Sequence, residues 1–373
     1  MNGSFETPFF THLRSSVAGL GGFYNAHLHM DRSGTLEFER DLAGVSHLAL
    51  ATKHGLIPKI HASPAYDPEK LRTRMNWYLD AMIAAGATRA ATTVDVTADR
   101  VGLSALEVFL QLKNERQGQM RLEIGAYSPL GYTDAEPQRW TLLERAADMA
   151  DFIGSLPERD DRRDYPDHLG FREHCRRMIA LSLRTGKSLH VHVDQRNEPS
   201  ERGAETLVQV LEEVATQPTP AEEPWLWLIH LISPSTYQEV RFQRLLDGLV
   251  KHRIGVICCP SAAISMRQLR TIQTPTFNSI ARIMDLLDAG IHVRIGSDNI
   301  CDITSPAGTP DLMAEIYVLC NAIRFYDIGV LSRLAAGLPL TAAEQLRVRQ
   351  HQEQDGQEAR RVTAKLGNHG TEA

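Results

Sequence analysis

Two histidines stand one residue apart at the end of an apolar run, in Asn25-Ala26-His27-Leu28-His29-Met30-Asp31. Residues i and i+2 of a strand project from one face, so His27 and His29 can bind a single ion together. Three later segments repeat the theme of an apolar run that delivers a ligand-type side chain: Leu189-His190-Val191-His192-Val193-Asp194, Leu226-Trp227-Leu228-Ile229-His230 and Val293-Arg294-Ile295-Gly296-Ser297-Asp298. One more histidine and one carboxylate would complete a hard-to-borderline divalent site with room for a water. A divalent ion lowers the pKa of its water toward neutrality, and the hydroxide so formed can attack an electron-poor C=N or C=O carbon. The pattern is that of a metal-dependent hydrolase.

Such side chains need a scaffold that brings distant strand ends together. Strands are expected at 22–28, 89–96, 121–127, 151–156, 188–194, 225–231, 254–259 and 291–297, each rich in aliphatic or aromatic residues and closed by polar or Gly/Pro residues. Between them, 71–85, 104–115, 139–149, 171–183, 205–213, 235–250 and 279–288 place Ala and Leu at three- and four-residue spacing and read as helices. Eight such alternations predict an α/β fold, a closed (β/α)8 TIM-type barrel with extra C-terminal helices. One domain is expected over 1–373, with the barrel at about 22–325 and a helical C-terminal extension at about 326–373. The long crossover 30–70, holding His47, His54 and His61, should include a helix and a lid-like piece over the barrel mouth. Segments 312–325 and 331–338 look helical, and Thr341-Ala342-Ala343-Glu344 is a capping box opening a last, very polar helix with a frayed end.

Composition narrows the partners. The chain has 373 residues, 43% hydrophobic and 23% charged, with a formal net charge of −6. The pI is near 6.2 and the mean hydropathy is −0.25. No electrostatic case exists for a nucleic-acid or membrane partner, and no apolar stretch approaches the length of a membrane span. The N-terminus lacks a basic region followed by a long apolar core, so a cytoplasmic protein is expected. Five cysteines (Cys175, Cys258, Cys259, Cys301 and Cys320), an odd number with an adjacent pair, argue for reduced buried thiols.

The order of the ligand-type residues along the chain resembles the amidohydrolase superfamily, and the local wording resembles its cytosine deaminase branch. The stretches that match are Asn25–Asp31, Thr93-Val94-Asp95-Val96, His190-Val191-His192-Val193-Asp194-Gln195 and Gly296-Ser297-Asp298-Asn299. By that resemblance His27, His29, His192 and Asp298 would hold one divalent ion (Zn, Fe or Mn). His230 would orient the attacking water and hold charge on the oxyanion, while Asp298 accepts the water's proton. Dinuclear members of the superfamily use a carboxylated lysine on strand 4. Here Gly154-Ser155-Leu156-Pro157-Glu158 offers none, which favours one metal.

Three departures matter. Gln195 stands where deaminases of this branch carry a proton-shuttling glutamate, and an amide cannot donate a carboxylic proton. Glu123 stands where a glutamine grips the substrate on strand 3. Asn299 replaces the acidic residue beside the metal aspartate. Gln195, Glu123 and Asn299 are therefore candidate substrate-binding residues, and the candidate catalytic residues are His230, Asp298, Gln195 and Glu123, the last as a replacement shuttle. Glu123 reads equally well as a rim carboxylate paired with an arginine.

The expected activity is hydrolytic attack on a small planar N-heterocycle, displacing an exocyclic substituent to leave a ring carbonyl. The substituent expected first is an amine. A nitro or halide group that departs without protonation is the alternative, because of Gln195. A non-catalytic heterocycle-binding protein is the reading from another class. The same resemblance predicts a β-sandwich flanking the barrel, yet only about twenty residues precede strand 1, so the sandwich should be missing and a homo-oligomer is expected. His61 reads as a loop residue, His190 as lying one layer beneath His192, and Trp77, Trp225 and Trp227 as core.

Overall fold

The computed structural model describes residues 7–36, 44, 47–214, 223–275 and 279–369. Its eight strands are β1 (Phe23–Leu28), β2 (Ala87–Asp95), β3 (Arg121–Tyr127), β4 (Phe152–Ser155), β5 (Leu189–Val193), β6 (Leu226–His230), β7 (Gly255–Cys258) and β8 (Val293–Ile295). They lie in sequence order in one sheet, each parallel to the next. All eight coincide with the expected strands to within two residues, because a strand buried on both faces is a continuous aliphatic run that a polar residue ends abruptly.

The sheet curls until its edges meet. A parallel bridge joins Leu28 to Asp298; His29 N–H donates to the Asp298 carbonyl and Asp298 N–H to the His27 carbonyl, both at 3.0 Å. Lower on the seam, Asn25 Nδ2 donates to Ser297 Oγ at 2.8 Å and Ser297 N–H returns a bond to Asn25 Oδ1 at 3.0 Å. The barrel therefore closes through the segments that carry the candidate ligands. The (β/α)8 barrel is the observed fold.

Helices follow in chain order: α1 (Pro8–Gly19), α2 (Leu50–His54), α3 (Ile57–Ala62), α4 (Pro68–Ala84), α5 (Ser104–Glu115), α6 (Pro137–Met149), α7 (Phe171–Thr185), α8 (Gly203–Glu213), α9 (Glu239–Lys251), α10 (Pro260–Ile264), α11 (Ile283–Asp288), α12 (Leu312–Ala322), α13 (Ile328–Ala336) and α14 (Ala342–His369). Strand residues alternate between two cores. Leu189, Val191 and Val193 of β5 face the helices, in one large cluster with side chains such as Leu106, Phe109, Ile179 and Leu207. Tyr24, Ala26, Ala91, Phe152, Trp227, Ile229 and Ile257 fill the barrel interior.

Several expectations need correction. Helix α1, absent from the sequence reading, buries Phe10, Leu13 and Val17 and packs on α13. Trp77, expected in the core, is 62% exposed. Its helix buries the stripe Leu71, Met75, Tyr78, Leu79 and Met82, and position 77 falls outside it. His61 belongs to α3 and is fully buried. The last helix does open with the expected box: Thr341 N–H donates to Glu344 Oε2 at 2.8 Å and Glu344 N–H donates to Thr341 Oγ1 at 3.3 Å. It continues to His369, through most of the 350–373 stretch whose end was expected to fray, and 370–373 lie outside the described residues. Among the described residues all five cysteines are free thiols, four of them buried.

Candidate metal centre and active site

The C-terminal ends of β1, β5 and β8 bring His27, His29, His192 and Asp298 together, with one ligand-type atom from each lying within 4.8 Å of the others. His192 Nε2 is 3.1 Å from His27 Nε2 and 3.2 Å from His29 Nε2. Asp298 Oδ1 lies 3.4 Å from both His27 Nε2 and His29 Nε2. Four donors around an ion at 2.0–2.1 Å are separated by roughly 3.3 Å when tetrahedral, so the set fits a small divalent cation.

Two of the imidazoles are locked in the tautomer a metal needs. Thr93 Oγ1 donates its proton to the Leu28 carbonyl at 3.0 Å, so at 2.9 Å from His29 Nδ1 it can only accept. His192 Nδ1–H points at the Ser155 carbonyl at 3.0 Å. Both rings are left with an Nε2 lone pair turned inward. Burial pushes the His29 pKa down to about 3, helped by the Arg32 charge, and pushes His192 well below its ordinary value. Burial would raise Asp298, but the closeness of the His27, His29 and His230 rings holds it well below the usual carboxylate range. Neutral imidazoles around an ionised carboxylate are the protonation state of a ligand set.

His230 ends β6 with its ring centroid 5.5 Å from that of His192 and 6.2 Å from that of His27. Burial lowers its pKa to about 4. Its backbone is left-handed, φ +75°, as is that of Asp298, φ +60°. Non-glycine residues held there carry strain, which collects at functional sites.

The pocket above the cluster is lined by Arg32, Leu50, His54, Tyr127, Leu156, Gln195, Ile232, Met266, Asn299 and Thr304 together with His29, His192, His230 and Asp298. Leu50 and His54 come from the crossover after β1, which supplies the expected lid-like piece through α2. The part of that crossover at 37–43, 45 and 46 lies outside the described residues. Gln195 and Asn299, both expected at the substrate, are on the pocket wall. Gln195 Nε2 donates to Glu158 Oε2 at 2.8 Å, and Asn299 Nδ2 donates to Asp302 Oδ2 at 2.5 Å.

Glu123 is not at this site. It lies in the N-terminal half of β3, where Tyr24 Oη donates to its Oε2 at 2.7 Å, Arg89 Nη2 donates to its Oε1 at 3.0 Å and Arg121 lies at 2.9 Å. The expectation that it replaces the shuttle fails on strand direction: catalytic groups of a barrel stand at the strand C-termini, and position 123 is third in a seven-residue strand. Arginine pairing, the other reading of Glu123, is what the structure shows. The residue β3 does send to the pocket is Tyr127, its last, and strand polarity alone could have singled it out. Arg32 and Glu158 were also missed. Arg32 is three residues past the second ligand, on a short 3-10 turn (Met30–Arg32), and only that turn directs it inward. His190 lies beneath His192, stacked on Phe152 at 4.2 Å, outside the ligand set.

No family model matches the chain. Over 260 residues it is 28% identical to a Haemophilus influenzae protein described only as uncharacterized, covering 69% of this chain and 87% of that one. The structure of 5-methylcytosine deaminase from Klebsiella pneumoniae liganded with phosphonocytosine superposes with a TM-score of 0.71 at 23% identity, over 84% of this chain and 74% of that one. N-isopropylammelide isopropylaminohydrolase from Burkholderia multivorans gives 0.66 at 20% identity, over 85% and 73%. The chain has the fold of these hydrolases. Guanine deaminase from C. acetobutylicum shares that fold too, at TM-score 0.57 and 13% identity over 84% and 71%. Among the described residues no helix is long and apolar enough to cross a membrane.

Proposed function

We propose that this protein is a member of the amidohydrolase superfamily that removes an exocyclic substituent from a small planar N-heterocycle by hydrolysis, with an amine as the first candidate leaving group. The observation that carries this reading is the convergence of three inward Nε2 atoms and Asp298 Oδ1 at the floor of a lined pocket, at the strand ends where a barrel places its chemistry. His27, His29, His192 and Asp298 would hold one divalent ion, whose borderline donor set suits Zn, Fe or Mn. When bound, such an ion supplies Lewis acidity and brings the pKa of a water toward neutrality. Asp298, ionised and beside that position, would take the water's proton. His230 would orient the attacking water and hold charge on the developing oxyanion. Tyr127, Leu156 and Ile232 wall the space.

A second reading, loss of nitrite or halide, is favoured by a specific observation: the usual glutamate position holds Gln195, and Glu123 lies elsewhere. The test is parallel detection of ammonia, nitrite and chloride from amino-, nitro- and chloro-substituted pyrimidines, triazines and imidazoles with metal-loaded protein. Ammonia supports the first reading and nitrite or chloride alone the second. Stoichiometric metal and tight ligand binding with no product would favour a non-catalytic binder and overturn both. A cytoplasmic homo-oligomer remains our expectation; light scattering on the eluted protein tests its assembly, and a monomer would count against it.

A further inference from the structure

His54 is the pocket histidine that neither the ligand cluster nor β6 supplies. It ends α2, on the crossover after β1, and lines the metal pocket with Arg32, Tyr127, Gln195, His230 and Asp298. The groups whose charge acts on its ring are Arg32, Arg159, Asp298 and His230. These stand at or just past the ends of β1, β4, β8 and β6, four strands spread around the barrel. The ring therefore stands over the barrel mouth, across the pocket from the cluster on its floor. Neither ring nitrogen has a hydrogen-bond partner among the described residues, and neither is sealed from solvent. His61 and His174, by contrast, have both nitrogens engaged. Burial and the charges of Arg32 and Arg159 lower the His54 pKa to about 3. At neutral pH it is thus a neutral imidazole with one free N–H and one free lone pair.

We propose that His54 is the proton donor to the leaving amine, filling from the crossover the role that Gln195 cannot. This rests on the hydrolase reading and deepens it. The carboxyl nearest to Gln195, that of Glu158, is bonded to the amide from behind and does not line the metal pocket. In the reaction, water oxygen bonds to the ring carbon as one of its O–H bonds breaks. Asp298 takes that proton and it ends on the ring nitrogen, whose C=N bond has become single. On collapse, the bond from the ring carbon to the exocyclic amine breaks with its electron pair on the amine nitrogen, which takes the His54 N–H proton. The other His54 nitrogen takes a solvent proton in the same step, so the imidazole stays neutral. The hydroxyl proton left on the former water oxygen goes to Asp298 and back to solvent, leaving the ring C=O. A ring with both nitrogens free can relay in this way; one fixed by two acceptors cannot.

The experiment compares wild type and His54→Gln, both Zn-loaded, on matched amino- and chloro-substituted pyrimidines and triazines, since chloride departs without a proton. His54→Gln should slow ammonia release about 100-fold and raise the ratio of chloride to ammonia release by a similar factor. A change of pocket shape alone would slow both. In His54→Ala, which serves if the glutamine variant fails to fold, added imidazole should restore ammonia release about ten-fold. A readout without turnover is carbethoxylation of Zn-loaded wild type by diethyl pyrocarbonate at neutral pH, mapped by mass spectrometry. The free ring of His54 should react, whereas His61 and His174 should not. An unmodified His54, or an unchanged chloride-to-ammonia ratio in His54→Gln, would overturn this proposal alone. Chloride without ammonia from wild type would overturn it and favour the second reading. Neither product from wild type would overturn the hydrolase reading, and this proposal with it.

Discussion

Gly296 stands directly against His27: a Cβ built on Gly296 would lie 2.8 Å from His27 Cβ and 2.9 Å from the His27 backbone N and O. Glycine there lets β8 close on β1 at the level of the candidate ligands, so barrel closure and the geometry of that cluster are one structural fact. Gly296→Ala should open the seam, lowering stability by about 1–3 kcal/mol and reducing metal affinity. Thermal unfolding and metal content by mass spectrometry, measured together, check it. A variant with wild-type values for both would show that the seam tolerates separation.

The ligand set can be dissected by what holds each ring. His192→Ala removes a donor and should leave the purified protein without stoichiometric metal while its circular dichroism stays that of a folded barrel. Thr93→Val removes the acceptor of His29 Nδ1–H, together with the bond to the Leu28 carbonyl, and should weaken metal binding about 10–100-fold. Competition with a chromogenic chelator gives the constant; unchanged affinity in Thr93→Val would mean that the Thr93 contact does not set the tautomer.

Glu123 separates stability from chemistry. Tyr24 and Arg89 bond it at the N-terminal end of the barrel, so Glu123→Gln should keep turnover near wild type and cost on the order of 1 kcal/mol of stability. Loss of turnover by orders of magnitude in a stable variant would restore Glu123 as a proton shuttle acting over a distance.

A pH effect should come from the crossover's anchor. His61 on α3 places Nε2 3.0 Å from Asp95 Oδ2 and Nδ1 2.7 Å from Asp99 Oδ2. Burial opposes its charge, but the bonds to Asp95 and Asp99 outweigh burial and raise its pKa to about 9. A folded-state pKa above the unfolded value of about 6.5 means stability fully present below pH 6.5 and lost as pH rises through 9. Denaturant midpoints across pH 6–10 should show this decline, and His61→Gln should flatten it. A wild-type midpoint that holds steady from pH 6.5 to 9.5 would contradict it.

Much of this was written in the sequence. Eight doubly buried strands announce themselves as aliphatic runs, and polar residues at the ends of β1, β5 and β8 are the candidate metal ligands, so fold and cluster were legible together. The capping box at Thr341 was local chemistry and equally readable. What depends on direction and depth was not. Glu123 and Tyr127 lie on one strand, and only the strand's polarity within the closed barrel sends the first to the N-terminal end and the second to the pocket. His61 reads as a loop residue until Asp95 and Asp99, more than thirty residues away, close around it. Gln195 reads as the loss of a carboxylate, yet the fold returns one behind it, from Glu158 on a neighbouring turn. Periodicity and composition report which face of an element is buried; which buried groups meet is decided by contacts between residues far apart in the chain, and those exist only once the barrel has closed.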